Sequence, residues 1–355
     1  GILDTFEAQN VSTKISMKER YTNITVIAII LLLGIIFHKK YIKDFPSHTH
    51  AWAHSDRFAL ALGFVNNNLN FFEPETFVLN HQFPDNWQVP SETSKTSVDF
   101  PLHDYIPAII MKLSGRKSAW IFRLYILLYS FVGLFFLYKL ALSLTRDHLK
   151  SIFVVLFTAT SPVFVYYQGG FLPTIPSLSN AIIGIYVYAI FLKTRRNMHF
   201  SVSLVFLTLA TLSRTTFAIP LLSVFGTEFL SILNKKSKLK PKLLTVTLSA
   251  AIILLYYFYN GYLRNAYGSI FLNHFLPAKN VQHAIEIIVS VKEKWLFQYF
   301  SLYHYLVLGV CLVSSVIIIL YKKIKNINHI KNILLFTGIM IAGCILFSVL
   351  MLCQF

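Results

Sequence analysis

Charge is scarce in this chain. Only 13% of its 355 residues are Asp, Glu, Lys or Arg, against roughly 25% in a soluble domain. Hydrophobic residues make up 55% of it, and the mean hydropathy is +0.59. One very hydrophobic soluble core is excluded, because apolar runs of about twenty residues, enough to cross a bilayer, recur along the whole length. Acids are scarcer still, fifteen against thirty-two Lys and Arg, for a net charge of +17. That surplus does not point to nucleic acid. The cations gather in short clusters between apolar runs, as in cytoplasmic loops of membrane proteins. Cysteine is rare as well. Cys311, Cys344 and Cys353 all fall in apolar runs, which argues against a disulfide framework and for packing as small hydrophobes. No internal repeat and no low-complexity linker is present.

What the chain does have is one long polar insertion, Lys39 to Lys117. It holds eight of the fifteen acids and five of the twelve histidines, with apolar segments on both sides. Any chemistry is expected there, laid against the membrane by the helices that follow.

The apolar runs and basic clusters predict an all-α polytopic fold of about nine membrane helices. The first covers about 21–37, after Lys14, Lys18 and Arg20, which place its start in the cytoplasm. The insertion is then an outer loop, with short surface helices expected at Ser55–Asn66 and Tyr105–Leu113. Further crossings are expected at about 120–144, 152–167 and 175–192. Residues 200–233 are flanked by basic clusters at both ends, so both ends belong inside. Their thirty-four residues must therefore fold back as two short helices, turning at Ser213–Thr216. Crossings at about 243–259, 302–321 and 333–353 complete the set, with an outer loop over about 260–301. Residues 1–20 read as a cytoplasmic N-terminal segment, 21–259 as a membrane module with outer loop 38–118, and 260–355 as an outer loop with the last two helices. Met17 reads as a natural start just before a membrane helix, which would leave residues 1–16 outside the native chain. No cleavable signal is expected, because Phe37, His38, Lys39 and Lys40 follow the first apolar run.

Three stretches then carry a resemblance. They are Ser55-Asp56-Arg57, the run from Asp99 to Ala108 (DFPLHDYIPA), and Ser161 to Tyr167 (SPVFVYY) with Leu172-Pro173 after it. In this order and topology the chain resembles the GT-C glycosyltransferases of the protein-mannosyltransferase and lipid A aminoarabinose-transferase type, over roughly 21–259. Their common module has a first helix, a large outer loop with two juxtamembrane helices, and six more helices. The resemblance implies transfer of a sugar from a polyprenyl-phosphate donor to a glycan, lipid or protein acceptor, with inversion. If the chain is bacterial, it implies an inner-membrane enzyme facing the periplasm. It also implies that Asp56 is the catalytic base and that Asp99 is the second acid, just before the Pro-Leu signature. Relatives often carry Tyr where His103 stands, and many bacterial ones have Glu in place of Asp99. There is no large C-terminal extramembrane domain, so acceptor recognition does not carry over.

The residues support that chemistry independently, with alternatives. A positioned carboxylate such as Asp56 can take the acceptor proton, yet Ser55 or Asp56 would equally cap a helix. Asp99 fits acceptor orientation, metal binding or a turn before Phe100-Pro101. Asp104 reads as a solvated charge or a cap. A lipid-phosphate leaving group needs cations, and Arg offers a planar fork for it. Arg57, Arg214, Arg264 and Lys292 are the cations expected on the outer side, the three arginines being the candidates. Arg214 stands out, because a charge in an apolar hairpin costs ~2.5–3.5 kcal/mol on insertion scales. His54, His103, Tyr167 and Gln168 are candidates for holding sugar, although Tyr at a helix end also anchors at an interface. His48, His50, His54 and Asp56 have spacing that a divalent cation such as Zn or Mn could use, as could a plain histidine-rich loop. The rival readings are a glycan polymerase or ligase of the same membrane and a transporter or flippase. Transporters place polar groups near the midplane, whereas here they collect in one outer loop.

Overall fold

The computed structural model describes residues 2–47, 50–77, 94–234, 240–269, 271, 277–321 and 331–352. His48, His81, Asp85 and Glu92 lie outside the described residues. Among those described there is no strand, only one isolated bridge between Glu75 and Lys95. Helix α1 (Ile2–His38) runs into the polar loop, which holds α2 (Ala51–Asn66) and α3 (Leu102–Ser114). There follow α4 (Ala119–Thr145), α5 (His148–Ala159), α6 (Pro162–Gln168), α7 (Thr174–Thr194) and α8 (Asn197–Ser213). After a 3-10 turn at Thr215–Phe217 come α9 (Ala218–Leu233), α10 (Lys240–Tyr267), α11 (Val281–Lys294), α12 (Leu296–Tyr299), α13 (Leu302–Tyr321) and α14 (Lys331–Leu350).

Six described helices are long and apolar enough to cross a membrane: Glu19–His38, Ala119–Thr145, Thr174–Thr194, Thr215–Leu233, Lys242–Tyr267 and Asn332–Leu350. A seventh span arises if α5 and α6, bent by 70° at their junction, are taken together. The two other expected crossings coincide with shorter apolar helices, Asn197–Ser213 and Leu302–Ser314. Large apolar side chains such as Ile24, Leu31, Leu128, Leu255 and Ile345 face outward, as a lipid-facing surface requires.

Local sequence explains the joints. Arg146 takes a left-handed conformation to end α4, and Asp147 caps α5 by accepting from the amides of Leu149 (2.9 Å) and Lys150 (3.2 Å). Two helices thus turn back within two residues. Helices α7 and α8 pack closely because position 184 is Gly. A Cβ there would lie 2.7 Å from Leu207 Cγ. The near approach lets Ser203 Oγ donate to the Gly184 carbonyl at 2.8 Å, the small-residue packing that membrane helices favour. The chain leaves α8 at Ser213 and passes through extended Arg214 (φ −156). It then enters the 3-10 turn that starts the next span.

The polar loop is bound to the bundle. Leu60, Ala61 and Phe64 of α2 pack with Ala108 and Met111 of α3 and Phe122 and Ile126 of α4, all essentially inaccessible. Burying a Leu or Phe contributes about 1.5–3 kcal/mol, so these few contacts hold both loop helices. The segment leading to Asp99 is gripped by backbone and side chains. Ser97 N donates to Gly268 O (3.0 Å), Val98 N to Asn260 Oδ1 (2.9 Å), Tyr256 Oη to Val98 O (3.0 Å), and Phe100 N to Leu212 O (3.1 Å). Asp99 is thereby fixed between α10 and the end of α8.

Candidate active site

Helix α2 starts earlier than the sequence suggested, at Ala51, behind a left-handed His50. Asp56 is therefore mid-helix, and its cap reading falls away. His54, Asp56 and Arg57 are all buried, at 3%, 2% and 2% exposure. Three polar side chains buried within one turn are unusual, since such residues are mostly exposed unless paired.

Arg57 is paired. Its Nη1 donates to Asp104 Oδ2 at 3.1 Å and its Nη2 to Asp99 Oδ2 at 3.3 Å. Its guanidinium lies 4.5 Å from the ring centre of Phe271. Asp104, expected as a solvated charge or a cap for a helix from Tyr105, is not solvated. Helix α3 begins three residues before Tyr105, which turns Asp104 inward to 1% exposure. Its Oδ1 has no hydrogen-bond partner. Burial, partly opposed by Arg57, raises the Asp104 pKa to about 6. Asp99 stays a quarter exposed. Arg214 sits in the field of Asp99, Arg57, Tyr167 and Asp104. Among the described residues no hydrogen bond or ion pair reaches its side chain. The cluster therefore holds two guanidinium groups and two carboxyl groups, with one arginine clamped and the other open.

His54 packs against the chain between α6 and α7. Its Nδ1 accepts from the Phe171 amide at 2.9 Å, so in the neutral ring Nε2 carries the proton, and that Nε2 is buried without a partner. Burial above all, with the charges of Arg123 and His50 adding to it, lowers the pKa of His54 to about 4. The ring stacks on Tyr167 (6.1 Å) and meets Tyr166 edge-on (5.6 Å). Position 170 must be Gly for this, because a Cβ there would lie 2.4 Å from His54 Cε1.

The other candidates separate. His103 is buried, with Nδ1 at 2.7 Å from Tyr125 Oη and Nε2 unpartnered. Burial, then the charge of Arg57, lowers its pKa to about 3. It reaches α7 through Tyr129, which packs on it at 5.2 Å and donates to Asn180 Oδ1 at 2.8 Å. Gln168 is an internal brace rather than a free sugar ligand. It accepts from His38 Nε2 (3.2 Å) and donates to Ser130 Oγ (2.8 Å). Arg264 lies in the last turn of α10, partly exposed, with no side-chain partner among the described residues. The structure does not bring it to the cluster. No group of three or more His, Cys, Asp or Glu among the described residues could hold a metal ion. His48 of the spaced histidines lies outside them.

Two residues were not recognised from the sequence as part of these sites. Asp104 was misread, because its burial depends on where α3 begins. Arg123 was missed altogether. Its Nε donates to Asp44 O (2.9 Å), one Nη to Phe45 O (3.3 Å) and the other to Gly169 O. Its guanidinium covers the Phe171 ring at 4.6 Å. A cation in the first turns of an apolar helix was the available signal.

Residues 95–258 match the model of the dolichyl-phosphate-mannose-protein mannosyltransferase family. The GT-C resemblance is borne out over that stretch, which supports a membrane glycosyltransferase of this type. It contains Asp99, His103, Asp104, Tyr167, Gln168 and Arg214; His54, Asp56, Arg57 and Arg264 fall outside it. No curated protein and no solved structure matches the chain.

Proposed function

We propose that the chain transfers a sugar from a polyprenyl-phosphate donor to an acceptor hydroxyl, with inversion, at the outer face of the membrane. The observation that carries this is the pairing on α2. Asp56 is buried next to Arg57, and Arg57 is clamped by two carboxylates beside Arg214, whose side chain has no hydrogen-bond or ion-pair partner among the described residues. A guanidinium enclosed by protein calls for an anion, and a phosphate fits its planar fork.

In this reading Asp56 takes the acceptor proton as the acceptor oxygen bonds to the anomeric carbon. The bond from that carbon to the phosphate oxygen breaks in the same displacement. Its electron pair leaves with the phosphate, which departs as an anion and needs no proton. Arg214 receives its charge, while Arg57, steadied by Asp99 and Asp104, adds positive potential without moving. Asp99 then serves as a positioning residue.

The test is direct. Purified protein in lipid nanodiscs is incubated with radiolabelled polyprenyl-phosphate sugars and membrane extract. Label should pass from the donor lipid to a second product, and Asp56→Asn should abolish the transfer. Binding of donor without any transfer by the wild type, together with export across a sealed vesicle, would instead favour the flippase reading.

A further inference from the structure

Helix α11 is capped and braced from within. Asn280 Oδ1 accepts from the His283 amide at 2.8 Å, and Gln282 Nε2 donates one turn on to Glu286 Oε1 at 3.2 Å. At about 100° per residue its side chains fall on three faces. Ala284, Ile287 and Val291 lie on one, partly covered by the rest of the chain. Val281, Ile285, Ile288 and Val289 form the second, and they are between 45% and 77% exposed. Gln282, Glu286 and Glu293 form the third, also exposed. The bare apolar stripe and the acidic stripe stand about a quarter-turn apart. Lys292 continues the apolar stripe at the end of the helix.

Four bared aliphatic side chains in one stripe mark an interaction surface rather than scattered apolar residues. Its occupant follows from where the stripe leads. Residues 295–301 alone separate α11 from α13, and Phe297, Leu302 and Leu306 beyond it are exposed as well. The first part of α13, Leu302–Ser314, is itself apolar. Before α11, the span Lys242–Tyr267 ends with Phe258 and Tyr262 exposed. At the junction Trp295 stacks on Tyr299 at 6.3 Å, and such rings gather where hydrocarbon meets water. A short helix with segregated faces lies flat there, its apolar stripe among the acyl chains and its acids in water. Lys292 fits the same placement, because its stem can lie in the apolar layer while its ammonium reaches the headgroups.

We propose that α11 is a membrane-surface helix, seated by Val281, Ile285 and Ile288 in the phospholipid leaflet that α10 and α13 meet. The seat is tied to the candidate active site. Trp295, which closes α11, stacks on His50 at 5.9 Å, and His50 is the left-handed residue from which α2 starts. Helix α12 packs against α6, close to whose end Tyr167 stands. The leaflet thereby sets the height of the helix that carries Asp56 and Arg57. This anchoring holds whatever reaction the site performs, so it stands apart from the transferase reading.

Photo-crosslinking tests the seat. The crosslinking residue p-benzoylphenylalanine is introduced at Ile285, Ile288, Glu286 or Glu293, one site at a time, and the full chain is reconstituted in vesicles of tritiated phosphatidylcholine. After illumination, lipid label on the protein should be at least fivefold higher from Ile285 and Ile288 than from Glu286 and Glu293. Equal label from the two faces overturns the proposal. So do protein–protein crosslinks from the apolar stripe in place of lipid, which would make it a contact between copies of the chain. Hydrogen exchange in the same vesicles tests the tie. Ile285→Asp combined with Ile288→Asp should lift α11 from the surface, speeding amide exchange over 284–294 at least tenfold and over 54–58 of α2 at least threefold. Exchange in α7 should stay as in wild type. Unchanged exchange in α11 overturns the anchor, and unchanged exchange in α2 overturns its tie to the site. If α7 exchanges faster too, the variant has lost its fold, and the crosslinking result alone decides.

Discussion

Near the end of α7, Tyr188 donates to Glu228 Oε1 at 3.0 Å, and Lys242 Nζ bonds the other carboxylate oxygen. The same ammonium lies over the rings of Phe191 (4.6 Å) and Phe200 (5.2 Å). Both oxygens of the acid and the face of the cation are occupied. Near the start of α7, the Arg57 cluster is built otherwise. Asp104 keeps a bare oxygen, His103 and His54 keep bare nitrogens, and the Arg214 side chain has no hydrogen-bond or ion-pair partner among the described residues. Both regions place ionised groups inside a membrane bundle, where each is costly. One is closed on itself and ties α7, α9 and α10 together. The other is held half open by its own scaffold, the arrangement expected where a ligand supplies the rest.

The comparison can be broken first at the closed end. Lys242→Met leaves Glu228 buried without its cation, which should destabilise the protein by about 3–5 kcal/mol. A double change, Lys242→Met with Glu228→Leu, should recover most of that. Thermal unfolding in detergent measures both, and turnover per folded molecule should stay near wild type. A large loss of turnover in the stable double variant would show that the closed cluster also serves the reaction. At the open end the signature should reverse. Asp56→Asn keeps shape and folding, and should lower transfer roughly 10²-fold or more. A near-normal rate in that variant would remove Asp56 as the base.

Arg214 sharpens the contrast further. Arg214→Gln should weaken donor-lipid binding about tenfold, the scale of a lost charge-assisted hydrogen bond, with little change in melting. Arg214→Lys should recover only part of it, since the fork is lost. Titration with a polyprenyl-phosphate sugar reads both variants, and unchanged affinity in Arg214→Gln would leave it as an interfacial anchor. The smallest effect concerns pH. The folded pKa of Asp104, about 6, lies above its usual 3.8, so the folded state holds this proton more tightly than the unfolded chain. That stabilisation is complete below the unfolded value and is lost as pH rises through about 6. Melting temperature should therefore fall between about pH 4 and 7 through this group, and Asp104→Asn should flatten that slope. An unaltered slope would mean that another group titrates there.

How far these regions could be read from the sequence depends on what each residue's position rests on. The hairpin at Arg214 was legible because basic clusters at both ends of 200–233 constrain it, and the helices do part at Ser213. The placement of Asp56 and Arg57 in a loop helix was legible from apolar spacing, although its start was misjudged by four residues. Asp104 was not, because the side it faces is set by where α3 begins. Gln168 and Arg123 were not, because their partners, His38, Ser130, Asp44, Phe45 and Gly169, come together only through folding. The closed pair of Glu228 and Lys242 was hidden by its setting. Lys242 ends a basic cluster that reads as solvated, while the fold turns it inward.

The 70° break between α5 and α6 has one more consequence. A helix that stops within a packed apolar bundle exposes its last carbonyls, which are costly if left bare. Thr160 Oγ1 and Ser161 Oγ take those of Leu156 (2.7 Å) and Thr158 (3.0 Å). The carbonyl of Phe157 is taken by His304 Nε2 at 3.0 Å, whose other nitrogen bonds Ser301 Oγ at 2.7 Å. His304 begins α13, well beyond the stretch that matches the transferase family. The helices after residue 258 are thus not an appendix to a self-sufficient module. They finish a broken span within it, and a chain cut after Tyr259 would leave the seat of Tyr166 and Tyr167 without one of its supports.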